Sequence, residues 1–112
     1  MPNETYIQQT MLPAISRGNC RMFRNNVGML NGVKFGLCTG SSDLIGFTSK
    51  TITANDVGKT IAVFTAIEIK TEKGRASEPQ KKFIEMVNKF GGIAGVCRSV
   101  EEAQKLVGRE IC

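Results

Sequence analysis

Histidine and tryptophan are both absent from this chain of 112 residues. Without histidine the chain cannot build a Cys/His zinc site, a Ser-His-Asp triad or a Cys-His pair, and it has no histidine to act as a general base. With one tyrosine and six phenylalanines it also lacks the aromatic content of a platform on which single-stranded bases stack. Any hydrolytic chemistry must therefore use carboxylates, lysines and a hard metal ion.

Paired cysteines and long apolar runs are missing as well. The four cysteines (Cys20, Cys38, Cys97 and Cys112) are widely spaced, so in a reducing compartment we expect them to pack as small apolar side chains. No apolar run approaches the roughly 18 residues of a membrane span, and the N-terminal residues do not resemble a signal peptide. These absences predict a cytoplasmic protein that is neither secreted nor bound to a membrane.

Length and charge describe an ordinary globular protein. The chain length suits one domain over residues 1–112, with 41% hydrophobic and 22% charged residues. Fifteen Lys and Arg against ten Asp and Glu give a net charge of +5. Such an excess is compatible with a polyanionic partner but is weak support for one by itself.

The segment 61–70 predicts the central strand. Its β-branched residues alternate along the run, and both faces are apolar up to residue 67, which is typical of a strand covered on both sides. At its end, Glu68 and Lys70 fall on the same face. Two interpretations are open. Either the two side chains form a surface ion pair, or Glu68 binds a divalent metal while Lys70 faces a phosphate or the attacking water.

The remaining pattern predicts the order helix, three strands, helix, strand, helix (αβββαβα). The predicted elements are a helix over 3–16 capped by Asn3, a hairpin of 33–38 with 43–48, the strand at 61–70, a helix between Ser77 and Gly91, a strand over 93–97 and a helix after Ser99. The strand–helix–strand crossover requires one parallel pair beside the antiparallel hairpin. We therefore predict an α/β fold with a mixed central sheet of about four strands flanked by helices.

Several polar residues have both a structural and a functional interpretation. Glu4 heads the inward face of the first helix, where an acid also favours the helix dipole. Asp43 enters the second strand of the predicted hairpin, where it would either bond the local backbone or lie near Glu68 on an adjacent strand. Gln80 follows Ser77 by three residues, the spacing of a capping box.

The acids and their flanking segments resemble a known family. Asp43 followed by Glu68-Ile69-Lys70 is the pattern of the PD-(D/E)XK nuclease superfamily. The segments that narrow the resemblance are Glu4, Arg24–Gly28, Gly40–Gly46, Ile67–Thr71, Gly74–Gln80 and Arg98–Ala103. Together they resemble the virus-type replication-repair nuclease (VRR-NUC) domain in its stand-alone form. Ser42 departs from the wider superfamily, which often has proline before the aspartate.

The resemblance implies a metal site. Asp43, Glu68 and the backbone carbonyl of Ile69 would hold Mg²⁺ or Mn²⁺, and Glu4 would join them directly or through water. Oxygen ligands suit these hard ions. The same resemblance implies that no organic cofactor is needed.

The resemblance also implies catalytic roles for two further residues. Lys70 would position and help deprotonate the attacking water, or stabilise charge on the phosphate. Gln80 would orient Lys70 or that water, with its capping role as the alternative. Asp43, Glu68 and Glu4 complete the implied catalytic set.

The implied substrate is DNA. The basic residues expected to contact its backbone are Arg17, Arg21, Arg24, Lys73 and Arg75, although the three arginines would equally suit a solvated surface. Stand-alone members resemble homodimeric enzymes that resolve branched or four-way DNA in replication, recombination or repair, and many are phage- or prophage-encoded. We expect the dimer surface to include the predicted hairpin and Met22, Met29 and Leu30.

Two other functions are compatible with the same residues. One is a nucleic-acid-binding module that keeps the fold without catalysis. The other is a sequence-specific endonuclease of the restriction type. Metal-dependent cleavage would exclude the first, and cleavage that follows branching rather than base sequence would exclude the second.

Overall fold

The computed structural model describes residues 3–108 and divides into two units, the first ending at Lys50 and the second beginning at Thr51. The helices are α1 (Glu4–Ile15), α2 (Glu78–Lys89) and α3 (Val100–Leu106), with a 3₁₀ turn over Ala54–Asp56. The strands are β1 (Cys20–Arg24), β2 (Gly28–Leu30), β3 (Val33–Phe35), β4 (Leu44–Thr48), β5 (Thr65–Ile69) and β6 (Ile93–Cys97). The prediction of a mixed α/β protein is confirmed.

The strand arrangement differs from the prediction. The described residues form six short strands in three two-stranded sheets, in place of one sheet of about four strands. The predicted order αβββαβα is therefore wrong in its strand count, because two strands went unrecognised before residue 33. Across residues 3–108, no helix is long and apolar enough to cross a membrane.

Helix α1 begins where the capping residue predicted it. The backbone N–H of Tyr6 donates to Asn3 Oδ1 at 2.9 Å, which satisfies one of the free donors of the first turn. At the other end, Ser16 Oγ accepts from the backbone N–H of Met22 at 2.9 Å. This bond ties the end of α1 to β1, on which the helix packs.

The predicted pairing of 33–38 with 43–48 is wrong. Strand β4 pairs antiparallel with β1 instead, and the rings of Phe23 and Phe47 lie 6.2 Å apart across this pair. The arginines at positions 21 and 24 had given β1 the composition of a polar surface segment. Pairing with a half-buried partner strand outweighed that composition, as tertiary context commonly does for strands.

Strand β3 pairs with β2 across the two-residue turn Asn31-Gly32. These residues have φ angles of 52° and 78°, and a type I′ hairpin turn requires positive φ at both central positions. Asn-Gly is the dipeptide that most favours this turn. The local turn therefore determines the partner of β3, and the exposed side chains of Met29, Leu30 and Val33 lie on this hairpin.

The second unit contains the predicted parallel crossover. Strands β5 and β6 pair in parallel from Thr65 opposite Ile93 to Ile69 opposite Cys97, with α2 between them in the chain. Helix α2 packs on both strands. Val87 of α2 is fully buried.

The strand predicted over 61–70 is shorter and less covered than expected. Strand β5 includes only Thr65–Ile69, and its side chains alternate between exposed and half-buried. Ala66 and Glu68 are the half-buried members, whereas Ile69 is 79% exposed. The prediction of a strand covered on both faces is therefore wrong. High β-propensity alone does not extend the strand over residues 61–63, which are exposed.

The cysteines behave in two ways. Cys20 and Cys97 are buried and free, as the prediction of small apolar packing requires. Cys38 is exposed in the loop after β3, so that prediction fails there. Cys112 lies outside the described residues.

Candidate active site

Glu68 and Lys70 meet at the carboxyl end of β5. This end of β5 is hydrogen-bonded to the end of β6, because the backbone N–H of Lys70 donates to the carbonyl oxygen of Cys97 at 3.2 Å. Lys70 Nζ lies 3.6 Å from Glu68 Oε2. The side chain of Lys70 is 22% exposed and that of Glu68 is 31% exposed. The predicted ion pair is therefore present. Such a pair stabilises the fold by only about 0–1 kcal/mol, so it does not by itself explain why two charges stand beside the core.

Glu68 also lines a pocket of about 270 Å³ between β5 and α2. The lining residues are Ala66, Ile67, Glu68, Pro79, Gln80, Phe83 and Ile84. Most of these side chains are apolar, and the polar groups are one carboxylate and one amide. A mainly apolar pocket with a few convergent polar groups is typical of ligand sites.

Gln80 forms the predicted capping box. Its Oε1 accepts from the backbone N–H of Ser77 at 2.8 Å, and its own backbone N–H donates to Ser77 Oγ at 3.3 Å. Within residues 3–108, the Nε2 group makes no side-chain hydrogen bond. Gln80 Oε1 thus caps the N-terminus of α2. The Nε2 group of the same amide is an available hydrogen-bond donor on a residue that lines the pocket of Glu68.

Asp43 and Glu4 line a separate pocket in the first unit. Its volume is about 300 Å³, and it lies between α1 and the start of β4. The other lining residues are Ile7, Gln8, Met11 and Leu44. Asp43 is exposed, and across the described residues its carboxylate does not bond the local backbone. The turn-forming alternative for Asp43 therefore has no hydrogen bond to support it.

The donor atoms available in these two places suit a hard cation. Glu4, Asp43 and Glu68 offer carboxylate oxygens, and Ile69 offers a backbone carbonyl, which are the ligands that Mg²⁺ and Mn²⁺ prefer. Among the residues that the structure describes, no group of three or more His, Cys, Asp and Glu side chains forms a metal site. The metal-binding roles therefore remain predictions.

The predicted DNA-contacting residues differ in their exposure and in their hydrogen bonds. Arg17, Arg24, Lys73 and Arg75 are exposed. Arg21 donates from one guanidinium nitrogen to the carbonyl oxygens of Gly18 and Cys20, at 3.0 and 2.7 Å. Arg21 therefore also supports the turn that leads into β1.

Two polar residues near the candidate groups had no predicted role. Arg98 follows β6 directly, and its guanidinium donates to the carbonyl oxygen of Thr71 at 3.2 Å, just beyond Lys70. Asn25 follows β1 and bonds the loop that leads to Asp43. Both positions lie within segments that carry the family resemblance, which was the one available signal.

The fold and these groups define a mixed α/β protein whose candidate sites contain carboxylates and no histidine. A family model of the VRR-NUC domain matches residues 23–101, which is well over half of the chain. The chain belongs to the VRR-NUC domain family, which implies a nuclease of the PD-(D/E)XK type acting on DNA. Nucleases of this type typically use a divalent metal. No curated protein and no solved structure matches the chain significantly.

Proposed function

We propose that the chain is a Mg²⁺- or Mn²⁺-dependent endodeoxyribonuclease that hydrolyses phosphodiester bonds in branched DNA, including four-way junctions. It would act in replication, recombination or repair. The observation that carries the proposal is the family match over residues 23–101, a range that includes Asp43, Glu68, Lys70 and Gln80. Because this match runs through the boundary at Lys50, we also propose that residues 1–112 act as one nuclease domain.

The proposed metal ligands are Asp43, Glu68 and the carbonyl oxygen of Ile69. Glu4 would contribute directly or through water, and the pocket it shares with Asp43 supports that role. A bound divalent cation supplies Lewis-acid stabilisation of the scissile phosphate and a more acidic water. The proposal requires the carboxylates of Asp43 and Glu68 to reach one cation.

Lys70 and Gln80 would act on the attacking water. Lys70 would hold and help deprotonate it, or place its ammonium group against the charge that develops on the phosphate. Its position 3.6 Å from Glu68 supports a role beside a metal ligand. The Nε2 group of Gln80 would donate to the water or orient Lys70, while Oε1 keeps its bond to Ser77.

DNA would be bound mainly through its backbone. The proposed contacts are Arg17, Arg21, Arg24, Lys73 and Arg75, which would neutralise phosphates without reading base edges. The net charge of +5 supports a polyanionic substrate. Recognition of this kind selects the shape of a branch rather than its sequence.

A homodimer would supply the second active site that cutting both strands of a junction requires. Two sites related by a two-fold axis are the usual solution. Met29 and Leu30 are 60% and 68% exposed on the β2–β3 hairpin, and these two apolar side chains support the proposed dimer surface. Met22, which we expected to be exposed there, is half-buried and gives less support.

Cleavage of matched linear, flap and four-way substrates by the purified protein tests the proposal. We expect cleavage with Mg²⁺ or Mn²⁺, none with a chelator, a preference for the four-way substrate and the solution mass of a dimer. DNA binding without metal-dependent nicking would favour a non-catalytic module instead. Cutting that follows base sequence in linear DNA would favour a restriction-type enzyme.

A further inference from the structure

One amide side chain holds both ends of the loop that leads to Asp43. Asn25 Oδ1 accepts from the backbone N–H of Leu37 at 2.9 Å, where the loop begins. Its Nδ2 donates to the carbonyl oxygen of Ser42 at 2.9 Å, where the loop ends. Asn25 as a whole is half-buried, and these two bonds lie at the exposed surface of the loop.

The orientation of this amide follows from its backbone partners. A backbone N–H can only donate and a backbone carbonyl can only accept. Oδ1 must therefore face Leu37, and Nδ2 must face Ser42. A flipped amide would lose both bonds, so the usual ambiguity between amide oxygen and nitrogen does not arise here.

Ser41 closes the network inside the loop. Its Oγ accepts from Asn25 Nδ2 at 2.7 Å and donates to the carbonyl oxygen of Cys38 at 2.6 Å. The backbone N–H of Ser41 donates to the same carbonyl at 3.0 Å. Asn25 is thus bonded to the start, the middle and the end of the loop.

The carbonyl groups on both sides of the Asp43 α-carbon are bonded to this one residue. The carbonyl of Ser42 accepts from Asn25 Nδ2, and the carbonyl of Asp43 itself accepts from the backbone N–H of Asn25 at 2.8 Å. These two peptide planes set the direction in which the Cα–Cβ bond of Asp43 leaves the backbone. That side chain is exposed and makes no bond of its own within residues 3–108.

We infer that Asn25 is a positioning residue that sets the direction of the Asp43 carboxylate for metal binding. The inference rests on the proposed function, because it assumes that Asp43 is a ligand. Residues that orient metal ligands through hydrogen bonds typically affect metal affinity or activity by about 10- to 100-fold. Asn25 would be such a residue, acting through the backbone of its target.

Asn25→Asp tests the inference with little change in shape. The new carboxylate keeps an acceptor for Leu37 but loses both donors to Ser41 and Ser42. We expect Mn²⁺ affinity, measured by calorimetry and by electron paramagnetic resonance, to fall about 10- to 100-fold. The added negative charge would by itself attract the cation, so it cannot explain weaker binding.

Asn26→Asp is the matched control. It adds the same charge one residue away, at an exposed side chain with no hydrogen bond in the described part of the chain. We expect its Mn²⁺ affinity to stay within about twofold of wild type, well below the roughly 10- to 100-fold loss typical of a positioning residue. Wild-type affinity in a folded Asn25→Asp variant would overturn the inference.

Two further variants separate the possible failures. If Asp43→Asn does not weaken Mn²⁺ binding, the proposed metal site fails, whatever Asn25 does. If Asp43→Asn weakens binding and Asn25→Asp does not, only the inference fails. Should Asn25→Asp not fold, as judged by circular dichroism, Ser41→Ala decides. It removes one bond from Asn25, so a severalfold loss of affinity supports the inference and wild-type affinity overturns it.

Discussion

Asp43 and Glu68 are held in place by different means. Asp43 stands after a loop whose ends are bonded by the side chain of one residue, Asn25. Glu68 stands inside a strand, opposite Val96 in a parallel ladder and beside a capped helix. The first carboxylate therefore depends on a few side-chain atoms, whereas the second depends on backbone bonds that most substitutions leave intact.

This contrast teaches where function can be lost without loss of the fold. In the β5–β6 ladder the hydrogen bonds are made by the backbone of many residues, so most side-chain changes leave them intact. The loop before Asp43 is held by the side-chain amide of Asn25, so it can lose its conformation while the β1–β4 sheet remains folded. We expect functional variants around Asp43 to include residues with no contact to the proposed metal. Those around Glu68 should be confined to the polar side chains at the site itself, such as Lys70 and Gln80.

The largest expected losses of cleavage come from removing the charge of Asp43 in the first unit or of Lys70 beside Glu68 in the second. Asp43→Asn should lower cleavage by about 10³-fold if the carboxylate contributes several kcal/mol through the metal. Lys70→Met should lower it by about 10²- to 10³-fold, the usual effect of losing one group that stabilises the transition state. Single-turnover cleavage of a four-way substrate at saturating protein measures both.

Glu85→Gln provides the control for these variants, because it neutralises an exposed acid on α2. We expect wild-type cleavage from it. Thermal melting should show all three variants folded, since the Glu68–Lys70 ion pair stabilises by no more than about 1 kcal/mol. An unfolded Asp43→Asn or Lys70→Met variant would make that residue structural and contradict its assignment.

A pair of glycines compares the packing of the two regions. A Cβ at Gly46 in β4 would overlap the carbonyl oxygen of Arg21, whereas a Cβ at Gly95 in β6 would lie 3.3 Å from the flexible end of Leu106. Gly46→Ala should therefore lower the free energy of unfolding by about 1–3 kcal/mol or more. Gly95→Ala should change it by less than about 1 kcal/mol, because the leucine can move.

Urea unfolding followed by circular dichroism measures both glycine variants. A Gly46→Ala protein as stable as wild type would show that β1 and β4 can separate without loss. The close pairing of these strands would then not be what fixes the position of Asp43.

The smallest effect separates the two roles of Gln80. Gln80→Glu keeps an acceptor for Ser77, since glutamate also completes a capping box, but it removes the amide donor from the pocket. We expect stability within about 0.5 kcal/mol of wild type and cleavage lowered about tenfold, the equivalent of about 1.4 kcal/mol.

Ser77→Ala should do the opposite. Loss of this N-cap should lower the free energy of unfolding by about 0.5–2 kcal/mol. Cleavage per folded molecule should remain that of wild type. Wild-type stability together with wild-type cleavage in Gln80→Glu would show that Gln80 is only a helix cap.

The second unit was largely predictable from the sequence, and the first was not. Strand β6 and the caps of α2 were predicted because apolar spacing and the Ser77–Gln80 pair both depend on nearby residues. In the first unit, Arg21 and Arg24 gave the segment of β1 a polar composition, so it was not recognised as a strand. The turn at Asn31-Gly32 was overlooked in favour of a longer loop, so β4 received the wrong partner.

The charged groups of the candidate site could be proposed from the sequence, whereas the residues that support them could not. Asp43, Glu68 and Lys70 were proposed because their spacing matches a family pattern, and their roles stay predictions. Asn25 and Arg98 were not given roles, because their bonds join residues 12 to 27 positions apart. Such bonds depend on how loops close, which local periodicity does not encode.

The Asn31-Gly32 hairpin has a consequence for how the first unit is assembled. A two-residue loop brings β2 and β3 together within about 1–10 μs, whereas β4 must return across a long stretch of chain to reach β1. The partners of Asn25 at Ser41 and Ser42 come into reach only with that return. On refolding, we therefore expect the helical circular dichroism signal to recover before Mn²⁺ affinity. The return of Mn²⁺ binding would then mark the pairing of β4 with β1 as a late folding step.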